Sequence, residues 1–400
     1  DVHPLHGGAQ SGIAVQCENT ALRLTGAVGK AYDGGRLFKR TSRKRRYGIG
    51  NMKKNLLDLS SRELNMFMKD HGVAAFRGTQ IRKWLYQGVA SFEEMTDLSK
   101  DLRAWLDQYC STGLLKIKRL LKSSLDGTCK FLFDLGDGNY VESVLMKYNY
   151  GYSVCISSQA GCKMGCRFCA STGAGFVRNL TAGEMLGQVI TINRERGIRI
   201  GHIVIMGVGE PMDNYDNVIR FLQEAQKEDG LGISYRHMSL STCGVVPGIY
   251  KLAEERMPIT LAISLHAPFN KLRSELMPIN NKYPLEELIE ACRVYLREGG
   301  RRITFEYAMI SDVNDGKMYA DELCRLLKGL QCHVNLIPMN SIPGTEYTKS
   351  KPEKVAAFIK ALEDRGIEVT VRRELGRDIS AACGQLRRSQ TKEGADENGI

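Results

Sequence analysis

From Tyr152 onward the chain alternates short apolar runs with amphipathic helical segments, and no other feature of the sequence restricts the fold as much. Strands are predicted at Tyr152–Ser157, Ile200–Met206, His237–Thr242, Thr260–Leu265, Ile303–Met309, His333–Pro338 and Glu368–Arg372. Parallel strands need long crossovers, which the intervening helices supply. Six such β/α units predict an α/β fold with an open, partial (β/α)6 barrel, because the eight units of a closed barrel are not available. A doubly wound sheet is the competing layout. The first crossover helix opens at Thr181-Ala-Gly-Glu184, where hydroxyl and carboxylate can cap each other's backbone N–H groups, and it turns Met185, Val189 and Ile192 to one side. Pro247, Pro284 and Pro352 stand where a first helical turn tolerates a missing N–H.

Upstream the pattern is helical. Ser60 or Ser61 caps a helix carrying Leu64, Phe67 and Met68. A second, from about Thr79, puts Ile81, Trp84 and Leu85 on one face, and a third covers Leu98–Tyr109. Lys130–Leu135 and Tyr140–Met146 then alternate across Asp137-Gly138, a hairpin signature. Residues 52–148 therefore form an N-terminal helical accessory module with a β-extension, 149–388 the barrel, and 389–400 a polar tail. Arg77, Arg82, Lys83, Lys116, Lys118 and Arg119 are read as a solvated face, with phosphate contact as the alternative. Residues 1–51 hold nine Lys or Arg against three Asp or Glu, so +6 of the chain's net +11 lies there, mostly in Lys39–Arg46. Gly-rich and without sustained period, they are expected to be a disordered basic extension. Met52 is a plausible natural start, which makes the extension upstream read-through; an RNA-binding arm is the alternative.

Hydrophobic residues at 43% and charged residues at 25% are the mix of a globular protein. The longest apolar stretch, near Ile200–Val208, is far below the roughly 18 residues that span a bilayer. His3, His6 and Gln10 interrupt any secretory leader, so a cytoplasmic location and no membrane partner are expected. Twelve cysteines are too few for a secreted disulfide scaffold, and clustered cysteines in a reducing compartment bind metal or do chemistry. The positive balance suits a polyanion but does not require one.

The cluster is Cys162-Lys-Met-Gly-Cys166-Arg-Phe-Cys169. At this cysteine content the triplet arises by chance about 0.01 times in such a chain, so its spacing is informative. Three thiolates on one loop can hold three irons of a 4Fe–4S cubane and leave the fourth open to an amino-carboxylate ligand. A zinc site completed by a remote Cys or His is the alternative. Gly161 and Gly165 would let the backbone wrap the metal group. Other polar positions fall at the same barrel rim: Gly207-Val-Gly209-Glu210-Pro211 after the second strand, Ser241 ending the third, Ser264-Leu265-His266 ending the fourth, and Asn335 in the sixth. Singly, each has a structural explanation: a tight turn, a helix cap, a satisfied histidine, a backbone bond. Their convergence on one rim favours ligand contacts.

The cysteine loop, with Phe168 before its last cysteine, resembles the signature of the radical S-adenosylmethionine superfamily, and Gly207–Pro211 resembles that family's motif for the methionyl amine. More narrowly, residues 52–388 are similar to the dual-specificity RNA adenine-C2 methyltransferases. The matching stretches are Cys155-Ile-Ser-Ser-Gln-Ala-Gly-Cys162, Ser264-Leu-His-Ala267 with Pro268, Asn335-Leu-Ile-Pro338 and Arg377-Asp-Ile-Ser-Ala-Ala-Cys383-Gly-Gln-Leu386. The resemblance implies a 4Fe–4S cluster on Cys162, Cys166 and Cys169. It also implies contacts to S-adenosylmethionine from Gly209, Glu210, Ser241, Ser264, Leu265, His266 and Asn335. Two cofactor molecules would be used per turnover, and the substrates would be 23S rRNA and tRNA. Cys383 would accept a methyl group, Glu142 a proton, and Cys155 would release the product by forming a disulfide. A donor such as flavodoxin or ferredoxin would supply electrons. Without the resemblance, Cys155 and Cys383 read as buried thiols and Glu142 as a surface carboxylate. Three rivals remain: adenine-C8 methylation of rRNA conferring antibiotic resistance, a radical enzyme acting on protein or a small molecule, and a non-catalytic RNA-binding protein with a structural metal.

Overall fold

A computed structural model describes residues 53–173, 175–340 and 346–381. The expected extension 1–51, the tail 389–400 and Cys383 lie outside the described residues.

Ser60 opens α1 (Ser61–Asp70) through a capping box: its hydroxyl accepts from the Glu63 N–H at 3.3 Å, while Glu63 accepts from the Ser60 N–H at 2.8 Å. Leu64 and Met68 of α1 are buried, as is Ile81 on the neighbouring α2 (Phe76–Gln87), which begins three residues before the predicted start. Ser99 caps α3 (Lys100–Tyr109). The module docks on the barrel through a buried ion network. Arg82, expected on a solvated face, is 2% exposed, with Glu224 at 2.9 Å and Asp229 at 2.8 Å. A guanidinium can be taken from water there because its fork meets two carboxylates and the Tyr86 ring lies 4.5 Å away.

Three antiparallel strands follow: β1 (Lys116–Lys122), β2 (Cys129–Asp134) and β3 (Tyr140–Tyr148). β1 was not anticipated. Its Lys-Ile-Lys-Arg-Leu-Leu-Lys sequence hides the alternation, and a register shift between Ile117 and Arg119 breaks it again. Cations are at home there, because β1 is an edge strand. β4 (Gly151–Ile156) pairs antiparallel with β3 on one side and parallel with β5 (Ile200–Ile205) on the other. The parallel series continues through β6 (Met238–Thr242), β7 (Thr260–Ser264), β8 (Ile303–Met309), β9 (Cys332–Pro338) and β10 (Glu368–Val371). Between them run α4 (Ala182–Arg196), α5 (Tyr215–Gln226), α6 (Val246–Glu255), α7 (Asn270–Leu276), α8 (Leu285–Arg297), α9 (Lys317–Leu327) and α10 (Pro352–Glu363).

Hydrogen-bonded neighbours follow chain order without exception from β1 to β10. A doubly wound sheet reverses its order at a switch point, and this one has none. Right-handed crossovers that always step the same way leave every helix on one face, so the sheet curls into a partial barrel. The hairpin grouped by sequence with the accessory module is thus hydrogen-bonded into the barrel's own sheet. Thr181 and Glu184 form the expected capping box on α4, which buries Met185, Val189 and Ile192 completely. Among the described residues no helix is long and apolar enough to cross a membrane.

Candidate active site

The C-terminal ends of the parallel strands surround a cavity of about 1010 Å³, part of it open to solvent. After β4 the chain leaves in a loop whose two arms are tied together by antiparallel pairing of Gln159–Ala160 with Arg178–Asn179. At Gly161 (φ +83°) a Cβ would lie 1.7 Å from the Gly175 carbonyl oxygen, while at Gly165 the nearest atom is a Pro278 side chain at 3.5 Å. Glycine is demanded at 161 by contact between the loop's own arms. The loop carries Cys162, Cys166 and Cys169 to the cavity wall, and no disulfide joins any two described cysteines. Burial pushes the Cys162 thiol up to about 12 and that of Cys166 higher still, with neighbouring thiols adding to the effect. Metal loading must therefore displace protons. Among the described residues no three His, Cys, Asp or Glu side chains converge on a single ion. Three thiols on one loop at one cavity match the ligand set of a cubane, in which each cysteine binds a separate iron.

Glu210 follows β5 and is buried. Its oxygens accept from the Met212 N–H at 3.0 Å and the Cys243 N–H at 2.8 Å, so the loops after β5 and β6 meet on one carboxylate. Burial raises its pKa and these N–H groups pull it back. Further lone pairs remain for an ammonium group in the cavity. At Gly209 (φ +115°) a Cβ would lie 2.7 Å from Gln159, so this glycine too is required by packing against protein. Ser241 and Ser264 end neighbouring strands with their hydroxyls 3.4 Å apart. Arg273, which the motif reading did not find, is fully buried behind them and donates to the carbonyls of Cys243 (2.7 Å), Ser264 (3.2 Å) and Leu265 (3.2 Å).

His266 has φ +57°, a strained setting for a non-glycine residue and a frequent mark of a functional rim. Its Nδ1 accepts from the Ala308 N–H at 2.9 Å, which leaves the proton of the neutral ring on Nε2. The Phe168 ring meets it edge to face at 4.7 Å and joins the cysteine loop to the end of β7. Burial, with the Arg273 cation second, lowers the His266 pKa to about 3. Below about pH 6.5 the unfolded chain binds a proton that the folded chain refuses. Stability should consequently fall as pH drops from 6.5 toward 3, by at most about 1.4 kcal/mol per unit from this group. His266→Gln is expected to flatten the dependence, read as denaturation midpoints between pH 7 and pH 5; an unchanged slope would contradict the buried neutral ring.

Gly209, Glu210, Ser241, Ser264 and His266 all line the cavity, whereas Leu265 and Asn335 do not. Leu265 is fully buried. The Asn335 amide is engaged on both ends, donating to Glu306 at 2.9 Å and accepting from Thr370 at 3.0 Å. Sequence reasoning missed Glu306, a buried carboxylate on β8 that lines the cavity with Arg372 at 3.7 Å. Its signal was available: a lone acid in the apolar run Ile-Thr-Phe-Glu-Tyr-Ala-Met. Cys243 also lines the cavity without belonging to a motif.

A second group of residues lies on the flank formed by β3 and β4. Cys155 stands opposite Val144 and packs with Val144, Met146, Val208 and Ala381. Glu142 lies within β3 rather than at the hairpin's end, and at 4% exposure it is buried, not a surface carboxylate. The Lys130 ammonium is 3.3 Å from its Oε1. The described chain ends at Ala381, two residues before Cys383.

An open α/β barrel with a three-cysteine loop after its first parallel strand and a glycine–glutamate turn after its second defines a radical S-adenosylmethionine enzyme. The radical SAM superfamily matches residues 156–324, and the ribosomal RNA large subunit methyltransferase N-terminal domain matches residues 54–111. A probable dual-specificity RNA methyltransferase RlmN from Desulforamulus reducens is 55% identical over 339 residues, covering 84% of this chain and 97% of the relative. Its counterpart from Clostridium beijerinckii is 53% identical over 335 residues, covering 84% and 95%. The crystal structure of a radical SAM methyltransferase from Sphaerobacter thermophilus, 45% identical, matches with a TM-score of 0.81 over 83% of this chain and 99% of that one. The chain belongs to the RlmN family of dual-specificity RNA methyltransferases. Use of a 4Fe–4S cluster and S-adenosylmethionine comes with that membership.

Proposed function

We propose that this enzyme methylates C2 of adenosine in 23S rRNA and tRNA, in the cytoplasm, using two S-adenosylmethionine molecules per turnover and electrons from a flavodoxin- or ferredoxin-like donor. The observation that carries the reading is that Cys155 shares one buried apolar cluster with Ala381, two residues before Cys383, beside the cavity of the cysteine loop. Cys162, Cys166 and Cys169 would hold the cluster, and Glu210 would receive the ammonium of the cofactor. When bound, the cluster supplies the electron that turns S-adenosylmethionine into a hydrogen-abstracting radical.

The chain's own residues do the rest. The Cys383 thiolate takes a methyl group from the first cofactor molecule, which makes the carbon a thioether substituent. Once this carbon has lost a hydrogen atom and bonded to C2, the radical adduct would give up one electron to the redox centre that the cluster supplies, and Glu142 accepts the C2 proton. The Cys155 thiolate then attacks the Cys383 sulfur; the carbon–sulfur bond breaks with its electron pair left on carbon, which takes up a proton to become the new methyl group, and a disulfide remains for a reductant to reopen. Glu142 and Cys155 on adjacent strands, with Ala381 in one buried cluster with Cys155, support these roles. The test is anaerobic turnover with reductant, labelled S-adenosylmethionine and unmodified rRNA or tRNA, with mass spectrometry of the digested RNA. 2-Methyladenosine is expected. Label at C8, or none in RNA, would refute the assignment.

A further inference from the structure

We propose that Lys130 is a positioning residue that couples the Glu142 carboxylate to the C-terminal turn Gly376–Ala381, the segment that leads to Cys383 in the chain, and thereby supports the reaction that both serve. The proposal rests on the reading of Cys383 as methyl acceptor. Lys130 lies on β2 on the diagonal from Glu142, since Leu132 is the residue directly opposite Glu142 and Lys130 faces Val144. Its ammonium sits 3.3 Å from Glu142 Oε1 and donates to the Ser380 carbonyl at 3.2 Å. One cation therefore contacts the proposed proton acceptor and the segment that leads to the proposed methyl acceptor.

The turn that Lys130 contacts is built to stay in place. The Ala381 N–H donates to the Gly376 carbonyl at 2.9 Å and closes the turn on itself. Gly376 (φ +65°) has no room for a side chain: a Cβ would lie 2.7 Å from that of Ala381. From the β1–β2 connection, the Ser123 hydroxyl and the Ser124 N–H donate to Asp378 at 2.7 and 2.9 Å, and Asp126 accepts from the Gly376 N–H at 2.8 Å. Ala381, in the same buried cluster as Cys155, is thus fixed from two sides. The anchors at Asp126 and Asp378 hold the turn without Lys130. Loss of the ammonium should therefore loosen the alignment of Glu142 and Ser380 while the fold survives.

Lys130→Met and Lys130→Arg in the full-length, cluster-loaded enzyme test this. RNA methylation and methyl loading of Cys383, followed by mass spectrometry, should slow roughly ten- to hundredfold in Lys130→Met, the range for losing a hydrogen bond to a charged group. Iron content, KM for S-adenosylmethionine and its reductive cleavage should stay at wild-type values, and Lys130→Arg should recover most of the lost rate. The proposal is overturned if Lys130→Met works at the wild-type rate, if arginine restores nothing, or if cluster content and cofactor cleavage fall in parallel with RNA methylation. A wild-type enzyme that never carries methyl on Cys383 refutes the acceptor assignment, and this proposal with it.

Discussion

Enzyme carrying Cys155→Ala is expected to accumulate a covalent protein–RNA species that survives denaturing electrophoresis, in near-stoichiometric yield and with almost no free product. Cys155 lies on β4 outside the three-cysteine loop, and its loss leaves Cys162, Cys166, Cys169 and Glu210 untouched. The chemistry can then run through methylation of Cys383 and carbon–carbon bond formation. It stops where a second sulfur must take over the bond. Cys383→Ala and the double variant should give no such species, because no thiolate is present to receive the methyl group. Labelled RNA on a denaturing gel distinguishes these cases. Normal turnover by Cys155→Ala without an adduct would remove the basis for both cysteine roles.

Replacing Cys162, Cys166 or Cys169 with alanine should abolish essentially all reductive cleavage of S-adenosylmethionine and take iron from about four per chain to near zero. With one cubane corner reserved for the cofactor, no protein ligand is spare. Cys243 supplies the control. It lines the same cavity outside the triplet: its thiol and its N–H are hydrogen-bonded to Glu210, and its carbonyl accepts from Arg273. Cys243→Ala should keep its iron. Iron and sulfide assays after anaerobic purification read both results, and full cleavage activity in any triplet variant would overturn the cluster assignment.

Most of the parallel strands were legible because burial leaves apolar runs such as those of β7 and β8, whereas β10 is largely exposed; all the predicted ends fell within a residue or so of the observed ones. β1 was hidden by the lysines that suit a sheet edge. Arg82 was misread because its partners, Glu224 and Asp229, are more than 140 residues away. Five of the rim residues, singled out by their convergence at the strand ends, line the cavity. Asn335 faces Glu306 and Thr370 instead, a matter of register between β8, β9 and β10 that no single segment encodes. The glycines of the loop and rim carry a requirement that the local pattern does not display. Gly161 and Gly209 yield to neighbouring protein, which only the folded loop reveals.

The unbroken hydrogen bonding from β3 into β4 also bears on how such a chain can be divided. A fragment beginning at residue 149 would retain every cluster and cofactor motif. It would nonetheless expose the backbone edge of β4, with Tyr152, Val154 and Ile156, as a template for aggregation. It would also lose Glu142, Lys130 and the serines that hold Asp378. The natural seam for exchanging parts between relatives lies ahead of Lys116, where helices give way to sheet, and the three antiparallel strands have to be inherited with the barrel.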